Sequence, residues 1–309
     1  MEFKHYSVML NETVDGLCVK DGGIYVDGTL GGGGHSHEIL SRGDVKLIGI
    51  DQDIEAITAA KSRLAEFGEK ATYINDNFRN VVSILDSLDI SEIDGMVLDL
   101  GVSSYQLDNK DRGFSYMQDA PLDMRMSRDN PKTAYDVLNT YTENELADIF
   151  FRFGEEKWSK RIAQFIVEKR AEKPVSTTFE LTDIIKSAIP KAARKDVAHP
   201  EKRVFQAVRI EVNGELDILK STVEGIVSRM KKGGRLAIIT FHSLEDRIIK
   251  QVFAQLASGC TCPKDFPVCV CGKKPEVKVV TRKPILPSKE ELEVNSRSKS
   301  AKLRICEKM

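Results

Sequence analysis

Residues able to do chemistry gather first around a run of glycines: Asp27, Gly28, Thr29, Leu30, Gly31, Gly32, Gly33, Gly34 and His35. Glycines in such a turn let a backbone come close to a ligand. An acid, Asp51, closes the next apolar run, Leu47-Ile48-Gly49-Ile50. A carboxylate there can accept both ribose hydroxyls of a nucleoside cofactor. Asn75, Asp76, Asn77 and Phe78 follow a third apolar run. Phe78 offers either a face to a base or a core side chain at a helix start. Asp99 closes a fourth run, Met96-Val97-Leu98. It either points at a reaction centre or caps a helix.

The spacing separates candidate cofactors. The G-x-G-x-x-G fingerprint of NAD binders fails, because from Gly31 it meets Gly33 and then Ser36. Asp27 would also repel a pyrophosphate, whereas it suits a ligand carrying an amine and a sulfonium. The pattern Asp27-x-Thr29-x-Gly31-x-Gly33 resembles the first motif of class I methyltransferases, with Thr in place of one Gly. A nicotinamide-dependent dehydrogenase, or a glycine-rich loop with no ligand, are the competing readings.

These groups need elements to hold them. Short apolar runs at residues 24–26, 47–50, 72–74 and 96–98 read as strands. Helical patterns at 35–41, 54–67 and 78–88 alternate with them, which predicts βαβ units and a parallel sheet. The rhythm then stops. Residues 107–209 hold an irregular stretch and helical patterns at 143–151, 157–173 and 178–187, which read as a helical insertion. Residues 204–230 read as one long helix ended by Gly233-Gly234. A strong strand at 235–241, a helix at 244–256 and a closing pair of strands at 277–281 and 303–305 follow. Residues 283–300 read as a surface linker. The expected division is a methyltransferase domain in two parts, 1–106 and 210–309, interrupted by a substrate-recognition domain at 107–209.

The chain has 309 residues, 41% hydrophobic and 30% charged, which is a globular composition. Residues 1–16 lack the apolar run of a secretory signal, and no stretch approaches the ~18 apolar residues of a membrane span. A cytoplasmic protein with no membrane partner is the expectation. Net charge is −1, but Lys and Arg outnumber Asp and Glu by about two to one in residues 157–209 and again in 260–309. That segregation fits either a nucleic-acid-binding face, with Lys191, Arg194 and Lys195 of the helical insertion as its expected RNA contacts, or a solvated surface with a basic tail. Of the six cysteines, Cys260, Cys262, Cys269 and Cys271 share one segment. They have the ligand count of a structural zinc site, although zinc sites favour C-x-x-C over these C-x-C pairs. Ordinary thiols in a reducing compartment are the other reading.

Six motifs in order identify a family. They are residues 27–36, 98–108, 112–115 (Arg112-Gly113-Phe114-Ser115), 121–126 (Pro121-Leu122-Asp123-Met124-Arg125-Met126), 205–210 and 241–247 (Phe241-His242-Ser243-Leu244-Glu245-Asp246-Arg247). Together they resemble the bacterial small-subunit ribosomal RNA cytosine-N4 methyltransferases, from Lys4-His5 to the last strand. The resemblance implies a class I, Rossmann-like α/β sheet with an inserted helical domain. It implies S-adenosyl-L-methionine as cofactor, and as partner 16S ribosomal RNA in the small ribosomal subunit, methylated at N4 of a cytidine in the decoding region. Its cofactor contacts carry over onto Gly33, Gly34, His35, Asp51, Phe78, Asp99 and Gln106. The cysteine segment is a departure that only some members share.

Methylating N4 of cytosine requires alignment of a weak nucleophile and an acceptor for its proton. DNA amino-methyltransferases use a Pro-Pro-aromatic motif after the fourth strand; Asp99-Leu100-Gly101-Val102 stands here instead. The candidate acceptors are Asp99, His242 and Ser243, with Arg247 placed to hold a phosphate. His242 with Glu245 and Asp246 also reads as a helix N-cap with acids in its first turn. A methyltransferase acting on another RNA, and a catalytically silent RNA-binding ribosome assembly factor, are the alternative readings.

Overall fold

The computed structural model describes residues 7–191, 199–260, 262, 266, 268 and 271–309, apart from the side chain of Ser104. Lys4, His5, Arg194, Lys195 and Cys269 lie outside the described residues. The chain forms two compact units, Met1–Gly101 with Leu216–Met309, and Val102–Glu215. The breaks fall at 102 and 215, against the expected 107 and 209.

The first unit is built on a seven-stranded sheet in the order β3-β2-β1-β4-β5-β7-β6. Its strands are β1 (Ile24–Asp27), β2 (Lys46–Asp51), β3 (Ala71–Asn75), β4 (Ile93–Asp99), β5 (Met230–Thr240), β6 (Val277–Val279) and β7 (Lys302–Lys308). β1 to β5 run parallel, and β7 inserts antiparallel between β5 and β6. Strand order reverses between β1 and β4, which is where open α/β sheets bind ligands. Asp27, Asp51 and Asp99 are the last residues of β1, β2 and β4. Parallel pairing brings the three carboxylates to one edge of the sheet. This is the Rossmann-like arrangement the sequence led us to expect.

Period-two alternation sends neighbouring strand residues to opposite faces. Val26, Ile48, Met96, Leu98 and Ile238 join one core with Leu85, Val223 and Phe253 from the helices Val81–Ser87, Leu219–Ser228 and Ser243–Ala257. Tyr25, Leu47, Val97 and Ile239 join the other with Leu17, Ile39 and Ile57 from Leu10–Leu17, Gly34–Ser41 and Ile54–Arg63. Both faces are therefore covered, as a parallel sheet requires.

Three sequence expectations need correction. The single long helix over 204–230 is two helices, Pro200–Asn213 and Leu219–Ser228, because Gly214 takes a left-handed conformation (φ 62) and ends the first. Gly233-Gly234 does not precede β5 but lies inside it. Pairing with β4 passes from Ile93↔Met230 to Gly95↔Arg235, a bulge that Gly233 accommodates at φ +80. The expected linker over 283–300 carries a helix, Lys289–Val294, and a 3-10 turn, Ser296–Ser300. Ser288 caps that helix through the Glu291 N–H, and Glu291 Oε1 in turn accepts the Met9 N–H at 2.8 Å. The helix Leu10–Leu17 was not foreseen either.

The second unit packs its own core from Leu138, Ile149, Phe150, Ile162, Leu181 and Val208. Thr133, Thr142 and Thr177 each begin a helix with a reciprocal capping box to Asp136, Glu145 and Glu180. Two of the resemblance motifs serve this unit internally. Arg112, 2% exposed, donates to the carbonyls of Arg125 and Met126 at 2.9 Å. Arg125 pairs with Asp123 at 2.9 Å.

Candidate active site

The loop after β1 is held from beneath by Asp27. Its carboxylate, 1% exposed, accepts the Ser36 hydroxyl at 2.7 Å and the Thr29 N–H at 3.2 Å. Burial pushes its pKa up to about 6, against the lowering effect of the Ser36 hydroxyl. Asp27 thus pins the loop and acts on any ligand through its charge. Thr29 reaches the other way, its Oγ1 accepting the Asp99 N–H at 2.7 Å. Gly33 caps the following helix at φ 74, and a Cβ there would stand 3.3 Å from Ala60 Cβ. A Cβ on Gly34 would fall 1.7 Å from Ser7 Oγ. The left-handed turn thus favours glycine at 33, and close packing favours it at 34. His35, 5% exposed, sets Nε2 3.0 Å from the Val8 carbonyl and so fastens the segment before the first helix.

Asp51 faces this loop. One carboxylate oxygen accepts the Gly31 N–H at 2.8 Å and the other the Asp53 N–H at 2.8 Å. Burial raises its pKa to about 6 in spite of those two bonds, with the charges of Asp53 and Asp27 adding to the shift. A carboxylate oxygen has two acceptor directions, so each keeps one for a diol. Phe78 opens a 3-10 turn capped by Asn77 and packs, partly buried, against the core beneath β1 and β4.

Asp99 is the most unusual group. Its Oδ1 is buried and has no hydrogen-bond partner among the described residues. Its pKa stands well above the usual carboxylate range, from burial first and then from the negative charges of Asp27, Glu245 and Glu291. Burying an unpaired acceptor costs about 1–3 kcal/mol. Such an atom, in the field of three further carboxylates, fits a cationic or N–H-bearing ligand. Glu291 is a source of this charge that sequence reasoning missed; it comes from the unexpected helix, 192 positions from Asp99, and no local pattern marks it.

The segment after β5 is built as a helix start. His242 Nδ1 accepts the Glu245 N–H at 3.4 Å, while Glu245 accepts the N–H groups of Phe241 at 2.8 Å and His242 at 3.3 Å. His242 Nε2 lies 3.1 Å from Glu245 Oε1, off the hydrogen-bonding direction. The imidazole is thus engaged in capping. Ser243 and Arg247 are exposed on the same helix, and Asp246 binds Arg304 at 2.6 Å and Lys302 at 3.3 Å. Gln106 lies in the second unit. There it forms a capping box with Ser103 and donates to the Met126 carbonyl at 3.5 Å.

The first unit therefore brings Gly33, Gly34, His35, Asp51, Phe78 and Asp99 to one edge of its sheet. The set fits a nucleoside carrying a sulfonium and an amine: a diol acceptor in Asp51, an orphaned carboxylate oxygen in Asp99, and surplus negative charge around it.

The family model for the MraW methylase family matches residues 2–309. The chain is 60% identical over 311 residues to a ribosomal RNA small subunit methyltransferase H of Clostridium botulinum (strain Loch Maree / Type A3), covering 100% of each. The protein of the same name from strain Kyoto / Type A2 is also 60% identical over the full length of both. Among solved structures, an rRNA methylase from Streptococcus thermophilus aligns over 97% of this chain and 96% of its own at 13% identity. Its TM-score is 0.44.

Proposed function

The chain belongs to the MraW methylase family, and from that premise we propose that it methylates N4 of a cytidine in the decoding region of 16S ribosomal RNA, on the small ribosomal subunit. It is a methyltransferase whose methyl donor is S-adenosylmethionine. When bound, that donor supplies a methyl group on a positively charged sulfur.

The observation that carries the reading is Oδ1 of Asp99, buried and without a hydrogen-bond partner among the described residues. An exocyclic amine is a poor nucleophile because its lone pair is shared with the ring. It gains from an acceptor that orients one N–H and takes up the proton released on methylation. A carboxylate with a strongly raised pKa is suited to both tasks. His242 serves less well, since its Nδ1 already accepts the Glu245 N–H. Asp51 holds the ribose, the backbone of the glycine loop approaches the cofactor, and Phe78 supplies an apolar face for the base.

The helical unit is assigned to RNA. Lys157, Lys160 and Arg161 are exposed near the start of the helix Ser159–Glu172, and Lys191 is exposed beyond the helix Thr178–Ala188. Such residues position a phosphate backbone without reading bases. An enzyme that acts on bacterial ribosomal subunits is expected in the cytoplasm. Among the described residues no helix is long and apolar enough to cross a membrane.

The test is mass mapping of 16S ribosomal RNA from a strain lacking the gene, before and after incubation of its small subunits with the purified protein and methyl donor. A single methyl restored on the base of one decoding-region cytidine, at N4 by fragmentation, supports the proposal. Methylation at another atom or nucleotide, or none, refutes it.

A further inference from the structure

Outside the carboxylate site, the described residues hold one cluster with metal-ligating chemistry. Cys260, Cys262 and Cys271 bring their sulfur atoms within 4.8 Å of one another. They lie between the helix Ser243–Ala257 and β6. Cys260 and Cys271 are exposed and Cys262 is intermediate. Burial of apolar thiols therefore does not gather them, and closing a loop between positions 11 apart costs chain entropy.

The separations match a shared ion. Two sulfurs each about 2.3 Å from one tetrahedral zinc stand about 3.8 Å apart. Cys271 Sγ and Cys260 Sγ are 3.8 Å apart. A disulfide would hold that pair at about 2.0 Å. The Cys262 N–H points at Cys260 Sγ at 3.3 Å, an arrangement that disperses negative charge on a metal-bound thiolate. Gly272, at φ +61, turns the chain directly after Cys271. The base of the loop is closed by the Glu276 N–H donating to the Leu256 carbonyl at 2.8 Å. The sequence holds a fourth thiol, Cys269, two positions before Cys271 and outside the described residues.

We propose that Cys260, Cys262 and Cys271 form a thiolate site for one zinc ion that fixes the loop leading into β6. Soft thiolates select zinc over magnesium or calcium, which prefer oxygen. Each thiol that binds gives up its proton to solvent, and the metal keeps its oxidation state, so no oxidant is needed. The site is structural.

Two measurements on the full-length protein test this. The first is elemental analysis after purification without chelator. About one zinc per chain is expected, falling below about a tenth in Cys260→Ser/Cys271→Ser. The second needs no variant: cobalt titrated into reduced, metal-stripped protein should give thiolate-to-cobalt charge-transfer absorption and the visible bands of a tetrahedral ion, both abolished by one equivalent of zinc. Wild-type protein that carries no zinc and takes up no cobalt overturns the proposal. So does zinc retained undiminished in the double variant, or cobalt bound without charge-transfer absorption. Thiol titration of the unfolded, unreduced chain should find all six cysteines reactive; four would mean a disulfide and would also overturn it.

Discussion

Thr29 Oγ1 accepts a 2.7 Å hydrogen bond from the Asp99 N–H, so the loop after β1 is tied to the end of β4 at the residue whose side chain has an orphaned oxygen. Related motifs place glycine where Thr29 stands. Here the hydroxyl fixes the Asp99 backbone and leaves its carboxylate for other work. Thr29→Val keeps the shape and removes the acceptor. It is expected to cost about 1–2 kcal/mol in denaturant unfolding, with Thr29→Ser recovering most of the loss. An unchanged midpoint in Thr29→Val would show that the bond contributes nothing.

Asp51 is expected to govern cofactor affinity. Its two oxygens face the loop amides and keep one acceptor direction each. Asp51→Ala should weaken S-adenosylmethionine binding by about 1.5–3 kcal/mol, roughly tenfold to a hundredfold in Kd. Titration calorimetry measures this directly, and an unchanged Kd removes Asp51 from the ribose site.

The carboxylates make binding pH-dependent. Asp27 and Asp51 have pKa values raised to about 6 by burial, against about 3.9 in an unfolded chain. Between those values the folded chain binds more protons than the unfolded one. The stability each group contributes is therefore full below about pH 4 and is lost as pH rises toward about 6. A cationic ligand favours the ionised forms. Its binding should release protons near about pH 6, and its affinity should rise between about pH 5 and 7 before levelling. Calorimetry in two buffers of different ionisation enthalpy reads the proton count; identical heats together with flat affinity across that range contradict the picture.

How far these features were legible depends on their range along the chain. Asp27, Asp51 and Asp99 could be read because each ends a short apolar run, and a parallel sheet brings such ends together. Glu291 could not, since its bond to the Met9 N–H spans 282 positions and only tertiary structure makes it. His242 was legible in two ways, as acceptor and as helix cap, and the geometry engages its Nδ1 in capping. The helix over 204–230 misled because its apolar spacing continues across Asn213-Gly214; the stop lies in a left-handed glycine, not in the periodicity. Gly233-Gly234 misled for the opposite reason, since a bulged strand can hold glycines that usually end a helix.

The helical unit should carry RNA affinity separately from cofactor affinity. Charge reversal at Lys157, Lys160 and Arg161, all exposed, is expected to weaken binding to small subunits. It should also flatten the slope of log K against log salt by about 0.7–0.9 for each phosphate that is no longer neutralised. S-adenosylmethionine affinity should stay constant. If both affinities fall together, or neither moves, the division of labour between the units is wrong.

The most direct test of Asp99 as proton acceptor is single-turnover methyl transfer to unmodified small subunits by Asp99→Asn, with cofactor occupancy saturated and measured separately. Asn keeps the size of Asp99 and its backbone bond to Thr29 but cannot take a proton. Transfer is expected to slow by about 10²–10⁴-fold, with the methyl still found on cytosine N4. Transfer within about threefold of wild type at full occupancy would contradict this role, and the proton acceptor would then have to be sought elsewhere.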